Sequence, residues 1–167
     1  MEPESMLKGR MAETLVEELL RSSGNTVYRF GYEAILQNLA QIEMSFNRDG
    51  EAGSRIRAIP DFIVLDKEGN PTFLEVKFRW NGQIHPNNHE RLSRIKEFWN
   101  AKILFVNCSV KPYFQIANPP YFDEAGTFAS HPLEKETIWK IDPDVYAKCE
   151  ALVEKYISPT LIKNRAE

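Results

Sequence analysis

The chain has 167 residues, 43% of them hydrophobic, and its 21 lysines and arginines against 24 acidic residues give a formal net charge of −3. This length and apolar content predict a single domain with a buried core, and the negative charge argues against chain-wide affinity for nucleic acid. No apolar run approaches the roughly 18 residues of a membrane-spanning helix, and the acidic start Met-Glu-Pro-Glu is unlike a secretory signal. We therefore expect a cytoplasmic protein without membrane contact. Two cysteines, Cys108 and Cys149, are too few for a disulfide scaffold or a metal cluster, and reduced thiols are the simplest interpretation.

The first predicted element is a helix over residues 6–20, whose apolar side chains recur with the helical period of about 3.6. On a helical wheel Glu13 lies at the edge of this stripe, beside Val16 and Leu20, and can reach the rim of whatever the helix packs against. Glu17, one turn later, is the second candidate. A solvated helix face is an alternative explanation for either glutamate taken alone.

A short strand at residues 27–30 comes next, followed by some thirty residues before the next apolar run. Within this insertion, residues 32–41 carry spaced apolar side chains that predict a second helix. Residues 46–58 are polar and contain glycine, which predicts a loop ahead of Asp61.

Two apolar runs, residues 59–65 and 72–78, are rich in β-branched and aromatic side chains and read as a β-hairpin. If the loop is Lys67-Glu68-Gly69, with Gly69 at positive φ, Asp66 pairs with Asn70 and Asp61 lies opposite Glu75. A loop with an even number of residues would place the two acids on opposite faces. Pro71 cannot donate a ladder hydrogen bond, which weakens the register derived from this loop length.

Because side chains alternate along a strand, Glu75 and Lys77 share one face while Leu74, Val76 and Phe78 take the other. Two neighbouring carboxylates repel each other, and a hard divalent cation resolves that conflict by taking oxygen ligands from Asp61, Glu75 and the backbone carbonyl of Val76. Lys77 would then lie beside the metal-bound water. The alternative is that Asp61 caps a strand start and Lys77 makes an ordinary cross-strand ion pair with it.

Downstream, Asn87 and Asn88 predict the start of a helix with buried Leu92, Ile95, Phe98 and Trp99, and residues 102–107 predict a strand. Positive charge concentrates in the middle of the chain, where residues 48–111 hold eleven lysines and arginines against eight acids. This distribution favours phosphate contacts there, although ordinary solvation also explains it. The candidate phosphate contacts are Arg48, Arg55, Arg57, Arg79, Arg91, Arg94 and Lys96.

The C-terminal residues predict a strand near residues 112–116, an aromatic loop near residues 118–122 and an amphipathic helix over residues 143–156. Tyr113, Tyr121 and Phe122, if exposed, would stack on unpaired bases or form a dimer contact. Packing in a core explains them as readily.

Three segments in order, Lys8 to Glu13 on a helix, Pro60-Asp61 on a strand and Leu74 to Lys77 on the next, resemble the PD-(D/E)XK nuclease superfamily. Within it, the resemblance is to archaeal Holliday-junction resolvases and restriction-endonuclease-like proteins. It implies an α/β (α+β) fold with an αβββαβ core, in which helices flank a central mixed sheet. The core match covers residues 6–22 and 59–107, with an insertion at 31–58 and a C-terminal extension at 108–167.

This resemblance also implies an Mg²⁺- or Mn²⁺-dependent endonuclease that hydrolyses phosphodiester bonds in DNA, of the structure-specific or the restriction and repair type. Glu13 matches the helix glutamate, which would bind the metal through water, Asp61 and Glu75 match the metal carboxylates, and Lys77 matches the lysine. We expect a homodimer without an organic cofactor. The alternative is a non-catalytic DNA-binding or assembly subunit that retains the fold, because a fold alone does not prove activity.

Overall fold

The structure is a computed structural model that describes residues 3–31, 50–79, 84 and 89–158. Its longer elements, in chain order, are helix α1 (Pro3–Ser22), strand β1 (Val27–Arg29), helix α2 (Glu51–Arg57), strands β2 (Phe62–Leu65) and β3 (Pro71–Arg79), helix α3 (His89–Trp99), strands β4 (Lys102–Asn107), β5 (Phe114–Ala117) and β6 (His131–Pro132), and helix α4 (Pro143–Leu152). A short 3-10 helix at Leu133–Lys135 precedes α4, and a π-helical turn at Val153–Ile157 continues it. None of the helices in these ranges has the length and apolar content needed to cross a bilayer.

Within the described residues, six strands form one mixed sheet in the order β1-β2-β3-β4-β5-β6. β3 and β4 run parallel and are joined through α3, whereas the other neighbours are antiparallel. A parallel neighbour needs a crossover connection, and α3 fills that role. The αβββαβ order implied by the resemblance is therefore confirmed, with α2 inserted between β1 and β2 and with β5 and β6 added beyond β4.

Helix α1 packs on one face of the sheet through the predicted stripe, and Ala12, Val16, Leu19 and Leu20 are fully buried. They contact Leu74 and Val76 of β3 within the main core, which Tyr146 and Cys149 of α4 also join. The helix ends at Ser22, and Gly24, two residues further on, has a φ of +89°, the left-handed conformation typical of the chain just beyond a helix C-terminus. The predicted helix at residues 6–20 is thus confirmed and extends a turn further toward the N-terminus.

The opposite face of the sheet is covered by α3 and by the segment that follows β5. Leu92 packs with Ile103, Phe105, Ala117 and Tyr121 in one cluster, and Ile95 packs with Ala58 and Ala101 in another. Because β4 lies between two apolar layers, its side chains are buried almost without interruption.

The hairpin between β2 and β3 has the register predicted from its loop. Gly69 has a φ of +86°, the Asp66 N–H donates to the Asn70 carbonyl at 2.9 Å, and Phe62 pairs with Leu74. The Asp66 carboxylate also accepts hydrogen bonds from Asn70 N at 2.7 Å and Glu68 N at 2.9 Å, which holds the turn closed. Pro71 is the first residue of β3, a position where a missing N–H is tolerated.

The loop predicted over residues 46–58 is wrong for its second half, because Glu51–Arg57 forms helix α2. Its polar composition concealed a helix that packs along one side only. The guanidinium of Arg55 stacks on Phe98 at 5.2 Å, and the Trp99 indole donates to the Arg55 carbonyl at 3.4 Å. Glu51 in the first turn and Arg57 in the last turn also complement the helix dipole. Residues 46–49, the helix predicted at 32–41, and the caps Asn87 and Asn88 lie outside the described residues.

The three aromatic residues considered for base stacking pack against the cores, Tyr121 completely and Tyr113 and Phe122 in part. Tyr121 is 1% exposed in the core beneath α3, Phe122 packs against the same cluster, and Tyr113 packs against the main core. Base stacking by Tyr121 is thereby excluded, and core packing, the alternative explanation, is confirmed for it.

The predicted C-terminal helix is present, capped by Asp142, whose carboxylate accepts hydrogen bonds from Asp144 N at 2.9 Å and Val145 N at 3.0 Å. Neither Cys108 nor Cys149 forms a disulfide, both are buried, and burial raises the pKa of each thiol to about 11.

Candidate functional site

Asp61 and Glu75 occupy directly opposite positions at the end of the β2–β3 hairpin. The last paired residues are Phe62 and Leu74, and one further step along both chains reaches the two acids on the same face. We call the hairpin end that carries Asp61 and Glu75 the acidic corner. The end of β1 holds it in place, because the Asp61 carbonyl accepts hydrogen bonds from Phe30 N at 2.8 Å and Gly31 N at 3.1 Å. The Asp61 side chain is held as well, since its Oδ2 accepts from the Val76 N–H at 2.7 Å.

Glu75 is only 3% exposed, and two cations approach its carboxylate. Lys77, two residues on and on the same face of β3, donates from Nζ to Glu75 Oε1, and Arg91 of α3 places Nη2 3.6 Å from the same oxygen. Leu74 and Val76 point the other way into the main core. The alternation predicted for β3 therefore holds, and the buried carboxylate is balanced by nearby positive charge.

The surroundings of Asp61 disfavour the ionised form of its carboxyl group. Burial raises the pKa of its carboxyl group, the charges of Glu75 and Glu13 raise it further, and Lys77 and the Val76 N–H lower it less. The pKa lies well above its ordinary value of 3.8 as a result. Negative charge at this corner is thus under-compensated by the protein's own groups.

Glu13 lies on the partly buried side of α1, and its charge is felt at Asp61. Glu17, the second candidate, is engaged elsewhere, because its carboxylate pairs with Arg21 at 3.0 Å and with Arg29 of β1. Of the two helix glutamates, Glu13 is the one whose charge acts on Asp61.

The donor set at this corner fits a hard divalent cation. Asp61 and Glu75 offer carboxylate oxygens that the fold has largely withdrawn from water, and a cation would relieve the repulsion between them. Among the described residues no three His, Cys, Asp or Glu side chains lie close enough to form a complete ligand group. The groups that could hold such an ion directly are the Asp61 and Glu75 carboxylates and the Val76 carbonyl.

The basic candidates divide by their surroundings. Arg91 contacts Glu75, and Arg79 ends β3 on the same face as Glu75 and Lys77. Arg94 pairs with Glu90 at 2.5 Å, and Arg55 stacks on Phe98, so both are already engaged. Arg57 and Lys96 are exposed on α2 and α3, and Arg48 lies outside the described residues.

Sequence reasoning missed Gly31. A Cβ at this position would lie 3.5 Å from Asp61 Cα and 3.7 Å from Asp61 Oδ1, so the glycine leaves space beside the carboxylate. In the sequence Gly31 directly follows the first predicted strand, but no local pattern indicates that Asp61, thirty positions later, lies against it. Asn107, paired with Arg79 across β3 and β4, was also missed, and it is 2% exposed.

Comparison with solved structures finds similarity to Archaeoglobus fulgidus Hjc, a Holliday junction resolvase from an archaeal hyperthermophile. The two share 13% sequence identity with a TM-score of 0.39, over 84% of this chain and 98% of that one. At this level the similarity carries no argument about activity. No protein-family model and no curated protein sequence matches the chain.

Proposed function

We propose that this protein is a divalent-metal-dependent nuclease of the PD-(D/E)XK type that hydrolyses phosphodiester bonds in DNA. The observation that carries the proposal is the corner formed by Asp61, Glu75 and Lys77. Two acids face each other in a register fixed by the hairpin loop, one of them with its pKa raised by burial and by the other's charge. Carboxyl groups whose pKa values are shifted by burial together with a neighbouring like charge are concentrated at functional sites.

The roles follow from chemistry and position. Asp61 and Glu75 would hold Mg²⁺ or Mn²⁺ together with the Val76 carbonyl, and Glu13 would bind through water. When bound, the ion would polarise the phosphate and lower the pKa of a coordinated water. Lys77, next to Glu75 on the same face, would orient the attacking water and carry charge that offsets the two acids. The Val76 N–H keeps one oxygen of Asp61 fixed, which leaves the other directed to the open space beside Gly31.

We also propose that residues 1–167 form a single domain around this corner. Helix α3 brings Arg91 to the acidic corner, and the basic side chains of the central segment supply sites for backbone phosphates. Cutting both strands of a duplex needs two such corners, so we also infer a homodimer.

One observation favours a second candidate, a DNA-binding or assembly subunit that does not cleave. Glu75 is already contacted by both Lys77 and Arg91, so its charge can be balanced without a metal ion. In that case DNA would bind equally well with and without a divalent cation.

The test compares duplex, single-stranded and four-way branched DNA in Mg²⁺, in Mn²⁺ and in chelator. Cleavage should require the metal and should fall by a factor of about 100 or more in Glu75→Gln and Asp61→Asn, because metal catalysis supplies several kcal/mol. Lys148→Gln on the exposed side of α4 removes a charge far from this corner and serves as the control. Absence of cleavage on all substrates, together with metal-independent DNA binding, would favour the second candidate.

A further inference from the structure

Two cations in different surroundings contact the buried carboxylate of Glu75. Lys77 Nζ donates a hydrogen bond to Oε1, and the Lys77 side chain is only 13% exposed. Arg91 Nη2 lies 3.6 Å from the same oxygen, but the Arg91 side chain is 58% exposed. That distance is too long for a hydrogen bond, so charge alone holds Arg91 to Glu75.

The backbone of Arg91 is fixed, although its side chain is exposed. Arg91 lies in the first turn of α3, and the next residue, Leu92, is 1% exposed in a cluster with buried side chains of β4. The preceding residue, Glu90, is paired with Arg94 at 2.5 Å. The guanidinium of Arg91 can therefore change its partner beside Glu75 without any movement of the helix.

The charge balance of the acidic corner changes sign when a divalent cation is added. Three carboxylates act here when ionised, those of Asp61, Glu75 and Glu13, against the two cations Lys77 and Arg91. A divalent ion turns the surplus negative charge into a surplus positive charge, which favours an incoming anion and weakens the attraction between Glu75 and Arg91. Arg91 is the cation that leaves at little cost, because an exposed ion pair contributes little whereas an unpaired buried charge is costly.

We propose that Arg91 exchanges partners: it neutralises Glu75 in the metal-free protein, and with a divalent ion at the acidic corner it binds an oxygen of the substrate phosphate instead. The inference rests on the proposed function for both the ion and the phosphate. A guanidinium suits the exchange because its N–H groups match carboxylate and phosphate oxygens equally well. Arg91 thus disfavours metal binding in the absence of DNA, and it makes metal and DNA bind cooperatively.

The first measurement is calorimetric titration of Mn²⁺ into the protein without DNA. Arg91→Gln should bind Mn²⁺ about two- to fivefold more tightly than wild type, the factor that corresponds to one exposed ion pair. Arg21→Gln is the matched control, because Arg21 is also an exposed helix arginine paired with a glutamate, Glu17 at 3.0 Å. Its Mn²⁺ affinity should equal that of wild type. Wild-type affinity in Arg91→Gln would overturn the exchange.

The second measurement is the affinity for a fluorescent DNA duplex with phosphorothioate linkages, in chelator and in Mn²⁺, with a gel to confirm that the duplex stays uncut. In Mn²⁺, Arg91→Gln should bind the duplex about tenfold more weakly than wild type, the effect of one lost charge-assisted contact. In chelator the two proteins should differ by less than about twofold, because Glu75 then holds Arg91. An equal loss in both conditions would mean a permanent phosphate contact and would overturn the exchange, as would no loss in either.

Two further comparisons separate folding and the reaction from the exchange. Thermal unfolding checks that Arg91→Gln is folded, and Arg91→Lys, which keeps the charge, should return the Mn²⁺ affinity toward that of wild type. If wild-type protein fails to cleave DNA in Mn²⁺ while both effects of Arg91→Gln persist, the nuclease proposal fails and the exchange stands. If wild type cleaves DNA and Arg91→Gln has wild-type affinity for both Mn²⁺ and the duplex, the exchange fails and the nuclease proposal stands.

Discussion

Oδ2 of Asp61 accepts the N–H of Val76 at 2.7 Å, which locks the first acid of the hairpin onto the strand that carries the second. The bond holds a carboxylate in place although burial and the charge of Glu75 both act against its ionised form. A position that is unfavourable for the isolated protein but useful for a ligand is typical of functional sites.

The first prediction concerns the stability of Asp61→Asn. The neutral amide removes the repulsion with Glu75 and can keep the bond to Val76 N, so the free energy of unfolding in chelator should rise by about 1 kcal/mol. Wild-type protein should gain stability on adding Mn²⁺, and the variant should not. Urea unfolding with and without Mn²⁺ measures both effects, with exposed Glu97→Gln as the control. A less stable Asp61→Asn in chelator would contradict the argument.

The second prediction concerns the contribution of Lys77 to stability. Lys77→Met leaves Glu75 buried with only the more distant Arg91, and should destabilise the protein by about 3–5 kcal/mol. Adding Glu75→Gln should restore most of that loss, because the buried charge is then gone. Arg91→Gln should cost less than about 1 kcal/mol, since Arg91 is largely exposed. Equal destabilisation in the single and double Lys77 variants, measured by urea unfolding, would count against this coupling.

The third prediction is that Gly31→Ala separates folding from metal binding. The added methyl group would make ordinary contacts at 3.5 Å and 3.7 Å with Asp61, so stability should change by less than about 1 kcal/mol. It would, however, cover Asp61 Oδ1, the oxygen that the Val76 N–H does not engage. Calorimetric titration with Mn²⁺ should then show metal affinity reduced by about tenfold or more, the loss expected when the surroundings of one ligand oxygen are disturbed.

Gly9→Ala is the matched control for that experiment. A Cβ at Gly9 meets nothing within 4 Å, and alanine within α1 should stabilise the helix by up to about 1 kcal/mol. Metal affinity should be unchanged. If both glycine variants bind Mn²⁺ as the wild type does, Oδ1 is not a ligand.

The fourth prediction concerns acid stability and lies away from the acidic corner. Burial raises the pKa of Glu136, but the Ile138 N–H at 3.2 Å, Lys102 at 3.1 Å and the Thr137 N–H at 2.8 Å outweigh it, so the pKa is lowered. A lowered pKa stabilises the folded state above the ordinary value of 4.5, and this stabilisation is lost as pH falls through the folded value. Glu136→Gln should therefore be less stable at pH 7, by about 1–3 kcal/mol.

The difference between wild type and Glu136→Gln should narrow as pH falls below 4.5. Urea unfolding at several pH values measures it. Exposed Glu134→Gln, in the 3-10 turn that Glu136 directly follows, should differ little from wild type at any pH. A difference that is constant with pH would mean that Glu136 contributes through packing alone.

The hairpin end was predictable from the sequence because its geometry is local. Gly69 fixes the loop length, and counting back from it places Asp61 opposite Glu75 without any long-range information. The stripe on α1 and the alternation on β3 were predictable for the same reason, since each follows from the period of one element.

What escaped sequence analysis depends on how distant segments meet. The contact between Arg91 and Glu75 requires the α3 crossover to bring its first turn over β3, and the approach of Gly31 to Asp61 requires the end of β1. Whether Tyr121 is exposed or packed stayed open in the sequence, because its burial comes from α3 and β4, which lie earlier in the chain. Helix α2 was missed because only one narrow side of it packs.

The additional strands β5 and β6 have a consequence for self-association. With β3 on one side and β5 on the other, β4 offers no unpaired backbone to a second copy. Within the described residues, the outermost strands are three and two residues long, too short to extend a sheet from one subunit into another. Two copies that join to cut opposite strands would therefore meet through helices or loops, and charge reversals on those surfaces would separate them without disturbing the β-sheet.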